Sequence, residues 1–211
     1  MAMTTITRLY DSHADATEVV GQLEAAGVPH SDISLVSNNA EGAHGGAAAS
    51  GTGLTSGDPE QGAETGAGTG ATLGTVLGGG AGLLAGIGAL AIPGIGPIVA
   101  AGWLVAALTG AGVGAAAGGL LGSLAGAGVS EADAHVHAEG VRRGGTLVSV
   151  RVDDAQAARI EAMLDGRTPV DLAARRTEYE AEGWKQYDPA AAPYTATQVT
   201  TERKRRVVSI K

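Results

Sequence analysis

The chain contains no cysteine and no phenylalanine, and aromatic residues make up only 3% of its 211 residues. The absence of cysteine excludes disulfides, thiolate metal sites and cysteine nucleophiles. Because large aromatic side chains are scarce, a core has to be built from Ala, Leu, Val and Ile packed at close range. The first twenty residues lack an apolar stretch behind a basic start, so we expect no signal peptide and a cytoplasmic location.

Positive charge is almost absent from the first two thirds of the chain. Arg8 is the only Lys or Arg before Arg142, and residues 65–130 carry no charged side chain. A basic cluster, ERKRR, appears only near the end, at residues 202–206. We therefore expect no nucleic-acid partner.

Sequence signatures of catalysis and cofactor binding are missing as well. The glycines form no complete G-x-G-x-x-G motif and no Gly-Lys pair of a phosphate loop. His135 and His137 are two residues apart, so on a helix they point to nearly opposite sides and are poorly placed to share a metal ion. The pair Asp153–Asp154 is typical of a helix cap. We expect no enzyme activity, no catalytic residues, no cofactor and no metal site.

Two separate regions have the pattern of an α+β domain. Residues 1–37 contain the strand-like TTITRLY, an amphipathic helix and SDISLVSN, which predicts a β-α-β unit with parallel strands. Residues 131–172 predict a helix, the alternating strand GTLVSVRVD, another helix and a short strand at TPVDLAA. Joined, they predict a ferredoxin-like α/β sandwich in which residues 4–37 and 131–172 share one sheet.

The other regions differ in composition. Residues 38–64 are rich in Gly, Ala and Ser and predict a flexible linker. Residues 65–130 are apolar and predict a long glycine-rich helical hairpin that splits the α+β domain, with its turn at Pro93, Gly94, Gly96 and Pro97. Residues 173–211 predict a short helix and a polar tail with a basic end.

Glycine recurs at every fourth position in both halves of the apolar region. Each glycine disfavours a helix by roughly 1 kcal/mol relative to Ala. Residues four apart share one helix face, and a face without side chains lets another helix approach closely. We therefore expect the two glycine faces to pack on each other. The expected helix-packing residues are Gly66, Gly70, Gly74, Gly78, Gly82, Gly86, Gly110, Gly114, Gly118, Gly122 and Gly126.

The leucines on the other helix faces require a third partner, and two candidates remain open. Each half of the region is long enough to span a bilayer and is uncharged, which favours association with the cytoplasmic membrane and its lipids. The wholly apolar turn AIPGIGP and the abundance of Gly and Ala favour a hairpin buried among copies of the chain, in a homo-oligomer.

A family resemblance covers most of residues 4–165. TTITRLYDSHADATEVVGQLEAAGVPHSDISLVS resembles the N-terminal domain of the bacterial heat-induced general stress proteins of the YflT type. The pattern GIGP…AAGGLLG…EGVRRGGTLVSV resembles longer members of that group. The resemblance implies a non-enzymatic bacterial stress-response protein and carries over no catalytic residues. A second hypothesis is a regulatory module that binds a small ligand on a ferredoxin-like domain.

Overall fold

A five-stranded antiparallel sheet organises the chain in a computed structural model that describes residues 3–42, 88–92, 94–105 and 115–209. In chain order the strands are β1 (Met3–Tyr10), β2 (Ile33–Asn38), β3 (Gly88–Ile92), β4 (Gly96–Gly102) and β5 (Thr146–Asp153). The helices are α1 (His13–Ala25), α2 (Ala115–Gly126), α3 (Glu131–Arg142), α4 (Asp154–Asp165), α5 (Leu172–Ala181) and α6 (Ala196–Ser209), with a short 3-10 helix (His30–Asp32) before β2.

The strand order is β1-β5-β2-β4-β3, so the late strand β5 lies between the two earliest strands. β5 is antiparallel to both, with Val150 opposite Ile6 of β1 and also opposite Ile33 of β2. β1 and β2 therefore run parallel, as a β-α-β unit requires. The prediction that the first and the later region share one sheet is confirmed.

Helices cover both faces of the sheet. On one face, α1 and α4 pack on side chains such as Val148 and Val150 of β5. On the other face, α2 and α3 pack on Leu147 of β5 and Val36 of β2. The strict alternation of a strand sends these side chains to opposite faces, and both faces are buried. The result is a mixed α/β structure of three layers.

The short strand expected at TPVDLAA does not form. Val170 donates one backbone hydrogen bond to the carbonyl of Leu9 on β1, at 2.8 Å. Asp171 then caps α5, because its carboxylate accepts hydrogen bonds from the backbone N–H groups of Ala173 and Ala174, at 2.9 and 3.0 Å. The carboxylate at the N-cap starts a helix where the sequence pattern predicted a strand.

The predicted helical hairpin is wrong for residues 88–102, which form the β-hairpin of β3 and β4. Gly88 lies opposite Ala100, and β4 pairs on its other side with β2. Ile98 and Val99 of β4 are both fully buried. A strand that is buried on both faces is a continuous apolar run, and periodicity alone does not distinguish it from a buried helix.

The chain does reverse direction within the predicted turn, but it joins strands. The N–H of Ile95 donates to the carbonyl of Ile92 at 3.1 Å, which closes a four-residue turn. Gly94 has φ +76, the value that the third residue of a type II turn requires and that glycine adopts without strain. Gly96 and Pro97 open β4. Pro93 lies outside the described residues.

Helix α2 is not the regular helix that the glycine spacing predicts. Gly119 within it has φ +42 and ψ −134, a non-helical conformation that is accessible to glycine. Gly118 and Gly122 therefore do not share one continuous helix face. Within the described ranges, the helices are too short or too polar to cross a lipid bilayer.

Several predicted features fall outside the described residues. These are the linker beyond Gly42 and the glycines Gly66, Gly70, Gly74, Gly78, Gly82, Gly86, Gly110 and Gly114.

Two helical glycines provide a matched test of the packing. In α3, a Cβ on Gly140 would lie 2.3 Å from Cδ2 of the buried Leu9, whereas a Cβ on Gly21 of α1 would meet nothing within 4 Å. We expect Gly140→Ala to lower the free energy of unfolding by about 1–3 kcal/mol through overpacking. Gly21→Ala should raise it by about 0.5–1 kcal/mol through helix propensity. Urea denaturation followed by circular dichroism measures both. Equal effects would contradict the α3–β1 packing.

Candidate functional site

Helix α2 carries the described part of the glycine pattern. Its leucines Leu120 and Leu124 are buried, at 1% and 0% exposure, in the core beneath the sheet. For these leucines the third partner is therefore the protein's own core. The glycines Gly122 and Gly126 lie on an open face of α2, because a Cβ on either would meet nothing within 4 Å among the described residues.

The β3–β4 hairpin sets where the two glycine-rich segments join the fold. Gly88, the first residue of β3, lies opposite Ala100 near the end of β4. The first segment therefore enters the sheet beside the point at which the chain leaves it towards Trp103 and the second segment. Residues 43–87 and 106–114 themselves lie outside the described residues.

The turn of the hairpin is covered by the chain's own C-terminal region. A Cβ on Gly94 would lie 2.7 Å from the hydroxyl of Tyr187 and 2.8 Å from Cα of Pro189. A Cβ on Gly96 would lie 2.8 Å from Pro193. Ile95 at the tip is fully buried. Residues 187–193 therefore cover the apolar turn that the sequence suggested for a bilayer or for other copies of the chain.

A cluster of charged residues lies at the end of α3. Glu139 is fully buried and accepts hydrogen bonds from Arg142 at 3.1 Å and from Arg143 at 2.6 Å. Arg143 also donates to Glu182 at 2.5 Å, and its guanidinium lies 4.1 Å from the centre of the Tyr179 ring. Burial opposes the charge of Arg143, but the two carboxylates outweigh it and raise its pKa. These arginines hold the C-terminal region, since Arg142 also donates to the carbonyl of Ala192 at 2.9 Å.

A second ion-pair group forms at Asp11, directly after β1. Its carboxylate accepts hydrogen bonds from Arg175 of α5, at 2.9 and 2.7 Å, and from Arg206 of α6, at 2.8 Å. Burial alone would raise the pKa of Asp11, but the two arginines overcome it and lower the pKa below its ordinary value. One carboxylate therefore holds both C-terminal helices against the end of β1.

The basic cluster of α6 also makes contacts within the chain. Arg203 donates to the carbonyl of Gly144 at 3.2 and 3.0 Å and pairs with Glu41 after β2. Arg205 pairs with Glu182 at 2.5 Å. Arg203 and Arg205 therefore connect α6 to β2, to α3 and to the end of α5.

The tail is the part of the structure that the sequence patterns missed. Residues 173–211 predict one short helix, but the structure has α5 and the long helix α6. A signal for α6 was present, since Thr195 and Gln198 form a capping box. Oε1 of Gln198 accepts from the Thr195 N–H at 2.9 Å, and Oγ1 of Thr195 accepts from the Gln198 N–H at 3.3 Å.

His137 of α3 is a buried polar side chain with an unusual environment. It is 2% exposed, and its Nδ1 has no hydrogen-bond partner among the described residues. Burial lowers the pKa of His137 to about 4; the charge of Asp133 raises it less and that of Arg8 lowers it further. The imidazole is therefore neutral at pH 7. Nε2 of His135 lies 4.0 Å from Oε1 of Glu131, one turn earlier in α3.

The described part of the chain contains no group of three or more His, Asp or Glu side chains that could hold a metal ion. Comparisons of the chain with protein-family models, with curated proteins and with solved structures find no match.

The Asp11 group is expected to contribute strongly to stability. Asp11→Asn removes the carboxylate that the buried Arg175 and Arg206 share, and leaves each of them only a glutamate on its own helix. We therefore expect the free energy of unfolding to fall by about 2–3 kcal/mol. The matched control is Asp165→Asn, whose partner Arg8 is more exposed. There the loss should stay below about 1 kcal/mol. Chemical denaturation at pH 7 measures both, and equal losses would contradict this role of Asp11.

The buried imidazole predicts a pH dependence of stability. The unfolded chain binds a proton at His137 below pH 6.5, but the folded chain does so only below about pH 4. The unfolded state therefore binds more protons, and stability falls as the pH drops through this window, by about 3 kcal/mol in total. We expect His137→Leu to remove this part of the slope and His135→Leu to keep it. Denaturation curves from pH 7 to pH 4 test this; parallel curves for the wild type and His137→Leu would refute it.

Proposed function

We propose that this protein is a non-enzymatic stress-response protein that works by self-association through its glycine-rich segments. The observation that carries the proposal is the open face of α2. Its leucines are committed to the protein's own core, whereas Gly122 and Gly126 meet nothing within 4 Å among the described residues. A glycine face that disfavours its own helix and packs on no described residue fits a second helix at close range.

The shared origin of the two glycine-rich segments supports the same proposal. Both join the sheet at β3 and β4, with Gly88 beside Ala100. The glycine face of α2 is the described part of such a surface. Copies of the chain that meet there would bring like faces together, as two-fold symmetric assemblies do.

The stress role itself rests on the resemblance to heat-induced bacterial proteins carried by residues 4–165. We place the protein in the bacterial cytoplasm, and association with the cytoplasmic membrane remains the competing use of the same segments. The apolar turn does not distinguish the two uses, because residues 187–193 cover it within the chain. The vesicle experiment below distinguishes them.

We also propose that the core of the fold is ferredoxin-like. The arrangement β1-β5-β2, with α1 connecting the parallel outer strands, is the split β-α-β half of such a sheet. Two differences accompany it. The segment at Val170 makes one hydrogen bond to β1 in place of a fourth strand, and the hairpin β3–β4 extends the other edge.

The test is the mass of the full-length protein and of a variant with Gly122→Leu and Gly126→Leu. The open space at both positions should let the variant fold, while its new side chains block close helix approach. We expect the wild type to form a homo-oligomer and the variant to dissociate. Light scattering coupled to size-exclusion chromatography measures this, with circular dichroism as the check on folding.

Gly21→Leu is the matched control, since Gly21 is also an open helical glycine but lies in α1 on the opposite side of the sheet. It should keep the wild-type mass. An unchanged mass in the α2 variant, or a monomeric wild type, would overturn the proposal. Flotation of the wild type with lipid vesicles, lost in the α2 variant, would instead assign the face to the membrane.

A further inference from the structure

A cavity of about 390 Å³ lies at the outer edge of β1. It is formed by β1, by α3 and by the segment that leads into α5. The residues that line it are Thr7, Arg8, Leu9, His137, Pro169, Val170, Asp171 and Leu172. None of these residues belongs to α2, so the cavity is separate from the glycine face proposed above.

His137 is the polar group of this cavity that the fold does not use. It is 2% exposed, and its Nδ1 makes no hydrogen bond to the described residues. A buried polar atom without a partner destabilises a fold, and such groups require an explanation. An imidazole placed on a cavity of this size has space for a partner that is not part of the chain.

The other polar groups around the cavity are already occupied. Nε of Arg8 donates to Asp165 at 2.8 Å, and Nη1 of Arg8 donates to the carbonyl of Thr7 at 3.2 Å. The Thr7 hydroxyl lies 3.1 Å from that of Ser149. The Asp171 carboxylate accepts the two N–H groups that begin α5. An ionic ligand would therefore meet charges that are already paired.

The remaining walls are apolar, since they come from Leu9, Pro169, Val170 and Leu172. We propose that this cavity binds a small uncharged molecule with an apolar body and one hydroxyl or N–H group, which hydrogen-bonds to the imidazole of His137. The apolar body replaces water along the hydrophobic walls, and the single polar group gives the His137 imidazole a hydrogen-bond partner that the described residues do not supply. The neutral state of His137 at pH 7 fits a partner without charge.

Phenol is a suitable probe, because it combines a small ring with one hydroxyl group. The full-length protein, labelled with 15N-histidine, is titrated with phenol at pH 7 up to millimolar concentrations. We expect a saturable shift of the side-chain nitrogen resonances of His137. Toluene, which has the ring without the hydroxyl, should bind about tenfold more weakly, as expected for one lost hydrogen bond. Benzoate, of similar size but charged, should not saturate the site.

Variants separate this site from non-specific binding of the ring. His137→Leu removes an unpaired polar group, so we expect it to fold, to bind phenol about tenfold more weakly and to leave toluene binding unchanged. His135→Leu on the same helix is the matched control and should keep the wild-type affinity. Val170→Phe places a ring in the cavity and should abolish binding of both probes while leaving the backbone hydrogen bond to Leu9 in place.

Three results would overturn the proposal. The first is the absence of a saturable shift at His137, which would mean that phenol does not bind in the cavity. The second is a phenol affinity that is the same in the wild type and in both His137→Leu and Val170→Phe. The third is tighter binding of benzoate than of phenol, which would assign the cavity to anions held by Arg8.

Discussion

The pairing of β5 with both β1 and β2 is the constraint on which the rest of the structure depends. Val148 and Val150 of β5 are fully buried against α1 and α4, and Leu147 is fully buried towards α2 and α3. Removing this strand would separate β1 from β2 and open both cores at once. The position of β5 also brings the end of α3 beside the end of β1. There Arg143 donates to Glu182 at the end of α5, and Asp11 accepts from Arg175 of α5.

The predictable part of the fold is the part in which local pattern and burial agree. TTITRLY, SDISLVSN and GTLVSVRVD alternate or are β-branched, and each contains a strand of the sheet. The β3–β4 hairpin was not predictable in this way, because an apolar run of Ala, Ile and Val around glycines fits a buried strand and a buried helix equally well. What decides for strands is pairing with β2, a contact between residues more than fifty positions apart in the chain.

The C-terminal region shows a different limit of sequence reasoning. Its composition is polar and charged, which suggested a loose tail, but its arginines find specific carboxylates on distant elements. Arg206 pairs with Asp11 after β1, and Arg203 pairs with Glu41 after β2. Charge alone does not reveal such partners, whereas the capping box at Thr195 was a local signal for α6. The sequence pattern raised His137 only as a candidate metal ligand. Its burial was not predictable, because it depends on β1 and on residues 169–172, which are distant in the chain.

The hydrogen bonds that cover the β1 edge connect the two proposals. An exposed edge strand offers unpaired backbone groups to other chains. Here Nη1 of Arg8 donates a hydrogen bond to the carbonyl of Thr7, and the N–H of Val170 donates to the carbonyl of Leu9. These contacts disfavour strand addition at β1, so the self-association that we propose does not use this edge. They also hold the 169–172 segment near β1 without a full ladder, and the space left between them is the cavity that His137 lines.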